Sequence, residues 1–177
     1  MTEMPVLSLD WPAEIYATFK RCRIVQVGYV PDAGHSRLIQ LCKDDPEIND
    51  VSLTTEEEGV GLVSGAWLGG QRAALLMQSS GVGNCINTFS LLQNCRFPCV
   101  LLATMRGEFG EINQWQVPMG SITAAALRLA GFVTHTVDRP EDVEEVVSAA
   151  CDMAFDGDLA IAVLLSQRLI GRKRWER

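Results

Sequence analysis

Four short stretches of this 177-residue chain carry the residue types that do chemistry. In the first, Glu56, Glu57 and Glu58 lead into a segment with Gly61, Gly65 and Gly69 at i, i+4 and i+8. Acidic residues suit a helix N-terminus, where the macrodipole favours negative charge. Glycines at that spacing strip one helix face of side chains, and each costs about 1 kcal/mol relative to alanine in a helix interior. Another backbone or a ligand is therefore expected close against that face. The second stretch, Gln78-Ser79-Ser80-Gly81-Val82-Gly83-Asn84, reads as a turn that opens a helix at Asn84. Its glycines allow a ring or backbone to approach and its polar side chains can orient it; the alternative is a bare turn with Asn84 as a helix cap. It has neither the third glycine of a dinucleotide fingerprint nor the lysine of a phosphate-binding loop. The third stretch, Val30 to His35, brings Asp32 near His35, a residue able to relay protons near neutral pH or simply to be a polar loop residue. The fourth is Arg106-Gly107-Glu108. Its guanidinium can bind a carboxylate, sulfonate or phosphonate bidentately, or else form an ion pair with Glu108 or Glu111. Gln78, Gln114 and Gln116 are weaker polar candidates.

The elements that must position these groups are readable from pattern. Asp10 and Pro12 start a helix running to Arg21, with the proline tolerated in the first turn. Strands are predicted over 24–30, 51–53, 73–77, 100–103, 132–137 and 159–165, the last an apolar run of the kind buried on both faces. Helices are predicted over 36–43, 57–68, from Asn84 onward, and over 120–129. A further helix shows Val143, Val146, Val147, Ala150 and Met153 at helical spacing. The alternation predicts one domain: a doubly wound, mainly parallel six-stranded α/β sheet with helices on both faces. In such sheets ligands sit beyond the C-terminal ends of the strands. That edge would hold 30–35, 54–56, 78–84 and the long irregular stretch 104–119, a loop of functional length. His135 falls within a strand away from this edge and reads as structural. Asp156-Gly157-Asp158 reads as a turn.

Composition narrows the classes. Fifteen basic and 22 acidic residues give a net charge of −7, which disfavours nucleic-acid binding. The basic cluster Arg172-Lys173-Arg174 with Arg177 reads as a solvated tail rather than a phosphate-binding patch. No apolar run approaches the roughly 18 residues of a membrane span, and Glu3 and Asp10 in place of a basic start argue against a signal peptide. A cytoplasmic protein is expected. The six cysteines lack a Cys-x-x-Cys pair, and only His35 and His135 could join them, so neither a zinc site nor a disulfide framework is expected.

Glu56 with Gly61 five and Gly65 nine residues on, Met77-Gln78-Ser79-Ser80-Gly81-Val82-Gly83-Asn84, Val30-Pro31-Asp32, Arg106-Gly107-Glu108 and Pro118-Met119-Gly120 together resemble the pyrimidine-binding domain of thiamine-diphosphate (ThDP) enzymes. Within that superfamily the likeness is to the α subunit of sulfopyruvate decarboxylase and the matching half of phosphonopyruvate decarboxylase, over nearly the whole chain. The resemblance implies that Glu56, rather than Glu57 or Glu58, shares a proton with the pyrimidine nitrogen para to the exocyclic amine; burial can raise a carboxyl pKa far enough for such sharing. It implies that Ser80, Gly81, Gly83 and Asn84 border the aminopyrimidine, and that Asp32, His35, Gln78 and Arg106 face the substrate. ThDP would then be the electron sink for decarboxylation of a 2-oxo acid. The Gly-Asp-Gly motif that anchors diphosphate and Mg2+ in these enzymes does not occur in the chain. The resemblance therefore implies a hetero-oligomer in which a β subunit supplies that site, the glycine face being a plausible subunit contact. A different class of reading is a non-catalytic binding or regulatory protein that keeps the fold alone.

Overall fold

The computed structural model describes residues 9–172; Glu3 and the tail residues Lys173, Arg174 and Arg177 lie outside them. Six strands, β1 (Ile24–Tyr29), β2 (Asn49–Ser52), β3 (Arg72–Gln78), β4 (Cys99–Thr104), β5 (Val133–Val137) and β6 (Ala160–Leu165), form one sheet in the order β2-β1-β3-β4-β6-β5. Every pairing is parallel. The helices are α1 (Trp11–Arg21), α2 (Ser36–Lys43), α3 (Glu56–Leu68), α4 (Ser79–Cys85), α5 (Ser90–Cys95), α6 (Val117–Leu129), α7 (Val143–Gly157) and α8 (Gln167–Ile170).

The period of two in the central strands builds two cores. Ala74 and Leu76 of β3, Val100 and Leu102 of β4, and Ile161, Val163 and Leu165 of β6 face Ile15 and Phe19 of α1 and Val147 and Ala150 of α7. Their neighbours Leu75, Met77, Leu101, Ala103, Ala162 and Leu164 face the other way, against Val60 and Val63 of α3, Val82 of α4 and Leu127 of α6. Buried on both faces, β3, β4 and β6 need to be apolar throughout, whereas the edge strands β2 and β5 remain half exposed. Chain direction reverses across the sheet at β1, so the loops after β1 and β3 flank the crevice where such sheets bind ligands. Among the described residues, no helix is long and apolar enough to cross a membrane.

Two expectations need correction. The stretch 78–84 is not a turn before a helix at Asn84: α4 begins at Ser79 and contains both glycines. Glycine propensity argues against this, but Ser79, Val82 and Cys85 recur every third residue on the buried side, and burial prevails over propensity. The glycine face of α3 also differs from expectation. A Cβ at Gly61 or Gly65 would meet no atom within 4 Å, and Gly69 is the C-cap. The close approach predicted for that face is not made by any described residue of this chain.

Candidate active site

All the predicted stretches reach the C-terminal edge of the sheet, where they make two linked corners. The first is centred on Glu56. Thr55 caps α3, its hydroxyl accepting from Glu57 N at 3.3 Å while donating to the Glu57 carboxylate at 3.1 Å. Glu58 accepts from Thr54 N at 2.8 Å. These two acids therefore serve the helix start locally. Glu56 instead crosses to α4, where its Oε2 accepts from Asn84 Nδ2 at 2.9 Å. Its Oε1 has no hydrogen-bond partner among the described residues. Gly81 is what makes this possible: a Cβ there would lie 2.5 Å from the Glu56 carboxylate. Gly83 and Asn84 are exposed beside it.

A heterocycle carrying a ring nitrogen is the ligand this corner suits. One carboxylate oxygen is uncommitted among the described residues, the other is oriented by an amide, and Gly83, packed on Met119, is exposed beside them. The residues present therefore fit an aminopyrimidine. Among the described residues no three His, Cys, Asp or Glu side chains gather where a metal ion could be held.

The second corner is a hydrogen-bond chain across the ends of β1, β3 and β4. Ser80 Oγ donates to Gln78 Oε1 at 2.9 Å, and Gln78 Nε2 donates to Asp32 Oδ1 at 3.0 Å. Asp32 Oδ2 accepts from Thr104 Oγ1 at 2.7 Å and from Gly34 N at 3.0 Å. Burial pushes the Asp32 carboxyl up, but the bonds from Thr104, Gln78 and Gly34 N outweigh it and hold the group below its ordinary value. Asp32 is ionised and fixed.

Two predicted site residues are not presented as expected. His35, expected to face the substrate, is wholly buried. Its Nε2 lies 3.2 Å from both Met77 O and Leu102 O, which fixes the proton on that nitrogen; Nδ1 has no partner among the described residues. Burial holds its pKa below the ordinary histidine value, so the ring is neutral. It pins the first loop to the ends of β3 and β4, and it is not placed to relay protons to a ligand. Arg106 is also spoken for. Its Nε and Nη2 donate to Glu111 at 2.7 and 2.8 Å, with the two side chains 7% and 4% exposed. Of the two roles the sequence left open for Arg106, the structure shows the ion pair with Glu111.

The pair belongs to a clasp that joins loop 105–113 to α8, which sequence patterning did not reveal because the element is a single turn. Gln167 N donates to Glu108 and Gln167 Nε2 to Glu111, each at 3.0 Å. Gln167 Oε1 accepts from Glu108 N and Phe109 N. Arg106 N donates to Ser79 Oγ at 3.1 Å. Gly120 completes the contact, since a Cβ there would collide with the Arg106 carbonyl. Gln114 is exposed, whereas Gln116 has a buried Oε1 without a partner among the described residues. His135 lies mid-strand in β5, away from both corners.

No protein-family model matches the chain. It is 32% identical over 160 residues to the sulfopyruvate decarboxylase subunit alpha of Methanothermobacter thermautotrophicus, covering 90% of this chain and 97% of that one. It is 33% identical to the phosphonopyruvate decarboxylase of Streptomyces viridochromogenes, over 78% of this chain but only 36% of that longer protein. In structure it resembles part of the 2-oxoglutarate:ferredoxin oxidoreductase from Magnetococcus marinus, with a TM-score of 0.72 at 11% identity, covering 90% of this chain and 29% of the other. The last likeness speaks for the fold alone.

Proposed function

The chain belongs to the family of sulfopyruvate decarboxylase α subunits, and we propose that it is the pyrimidine-binding half of a ThDP-dependent 2-oxo acid decarboxylase that acts on sulfopyruvate, giving sulfoacetaldehyde and carbon dioxide. The observation that carries this reading is the Glu56 corner, a carboxylate held by Asn84 over Gly81 with one oxygen uncommitted. In this reading Glu56, Ser80, Gly81, Gly83 and Asn84 hold the aminopyrimidine. Bound there, ThDP supplies the electron sink for the pair left behind when carbon dioxide departs. The protein's own part is narrower. Glu56 Oε1 would hold the proton shared with the ring nitrogen, and Asn84, donating to Oε2, would orient the carboxylate. Gln78 and Asp32 form the fixed polar wall beside the substrate.

A β subunit supplies the diphosphate and Mg2+ site, a proposal supported by the lack of a Gly-Asp-Gly motif in this chain. The open face of α3 at Gly61 and Gly65 is proposed as part of the contact with it, because a helix without side chains permits close packing. Phosphonopyruvate is the second substrate reading, favoured by the 33% identity to a phosphonopyruvate decarboxylase.

The test is co-expression with the adjacent-gene partner, followed by carbon dioxide release from a panel of 2-oxo acids with ThDP and Mg2+. Release that needs both chains and is fastest with sulfopyruvate is expected. A faster reaction with phosphonopyruvate would select the second reading. A stable, cofactor-bound complex that turns over no 2-oxo acid would overturn both and leave a binding or regulatory role.

A further inference from the structure

Against Asp32 of the second corner lies a cavity of about 130 Å³, walled by Asp32, Ala33 and Gly34 after β1, by Arg106 after β4, and by Ile170, Gly171 and Arg172 at the end of α8. It has room for a group of several heavy atoms, since one water needs about 10–15 Å³ on the same measure. Its charges are not equivalent. Arg106 is neutralised by the bidentate Glu111. Asp32 has its charge met by Thr104, Gln78 and Gly34 N. Arg172 is exposed, and among the described residues its guanidinium has no hydrogen bond or ion pair. Its aliphatic stem lies against Gly110, where Cδ would be 3.2 Å from an added Cβ. The described residues thus hold the stem of Arg172 beside the cavity and offer its charged fork no partner.

We propose that Arg172 is the specificity-determining residue for the substrate's distal anion, the group at the end of the 2-oxo acid opposite the carboxylate that is lost. This deepens the functional reading above and rests on it. The Ser80–Gln78–Asp32 hydrogen-bond chain ends on Asp32, which also walls the cavity, so a substrate lying against the Gln78–Asp32 wall has its tail directed into that cavity. A tail bearing a sulfonate or phosphonate is drawn to the Arg172 fork, whose paired N–H donors match two oxygens of such a group. The ionised Asp32 repels an anion from the rest of the wall and so directs it to Arg172. An uncharged tail gains nothing from Arg172. The cluster read from sequence as a solvated tail therefore contributes its first residue to the site.

The experiment uses the complex of both chains with Arg172→Gln and Arg172→Lys. Steady-state kinetics compare sulfopyruvate with 2-oxobutanoate, which has an uncharged tail, and calorimetry follows binding of unreactive 3-sulfopropanoate. The loss of a charge-assisted bidentate contact predicts a fall of about tenfold or more in kcat/KM for sulfopyruvate, mainly through KM, and a similar weakening of 3-sulfopropanoate binding. 2-Oxobutanoate turnover should be unchanged, and Lys should restore part of the loss. An equal effect on both substrates, or none on either, overturns the assignment. If the wild-type complex turns over no 2-oxo acid, the functional reading fails by itself; the calorimetry still decides whether Arg172 binds the sulfonate.

Discussion

At the scale of single residues, the site depends on one side chain that is missing. Gly81 is required because the Glu56 carboxylate occupies the place where a Cβ would stand. Gly81→Ala should displace Glu56 from Asn84 while leaving the fold intact, since α4 is helical and alanine suits a helix. The expected result is a loss of about 100-fold in decarboxylation by the assembled enzyme, with little change in melting temperature. Asn84→Ala should act in the same direction with a smaller effect. Glu56 was singled out from Glu57 and Glu58 only by the family resemblance; the structure distinguishes it as the acid that reaches Asn84 over Gly81. The burial of His35 was not legible, and for Arg106 the sequence could not choose between a free guanidinium and a pair with Glu108 or Glu111. Whether a loop histidine is buried depends on the carbonyls of Met77 and Leu102, 42 and 67 residues away. Arg106 had an acidic neighbour five residues on, but only the folded loop turns Glu111 toward it.

At the scale of elements, the loop after β4 is ordered by charge as much as by packing. The Arg106 guanidinium holds the Glu111 carboxyl at about 2, against an ordinary value of 4.5, despite the opposing effect of burial. Because the folded-state value is the lower one, this contribution to stability is complete above about pH 4.5 and is lost as pH falls toward 2. Glu111→Gln leaves a buried guanidinium unpaired, and should cost about 3–5 kcal/mol at pH 7. Urea denaturation should show that deficit shrinking between pH 4.5 and pH 2 as the wild type loses the same pair. A deficit independent of pH would refute the electrostatic account. Helix α3 behaves oppositely. Since a Cβ at Gly65 meets nothing within 4 Å, Gly65→Ala should stabilise this chain by about 1 kcal/mol in a thermal melt. Gly65→Leu should weaken assembly with the β subunit, measured by sedimentation, if that face is the subunit contact. The sequence showed α3 and its unusual glycines, but periodicity alone does not say whether a bare face is filled within the chain or left open.

At the scale of the whole molecule, the strand sequence and the parallel doubly wound sheet were readable because β3, β4 and β6 must be apolar on both faces and α7 on one. The order β2-β1-β3-β4-β6-β5 then brings loops distant in sequence to one edge, which is why the four chemical stretches converge. Less was readable where tertiary contacts override local preference, as in α4, or where an element is one turn long, as in α8. The proposed division of the active site between two chains would account together for the Glu56 oxygen and the α3 face that no described residue covers. The most direct test is the Glu56→Gln variant in the assembled two-chain enzyme, assayed for carbon dioxide release from sulfopyruvate with ThDP and Mg2+. Loss of proton sharing at this position predicts a rate lower by about 100-fold or more, with assembly unchanged. A variant that assembles and retains the full wild-type rate would contradict the assignment of Glu56 and, with it, the catalytic role of this chain.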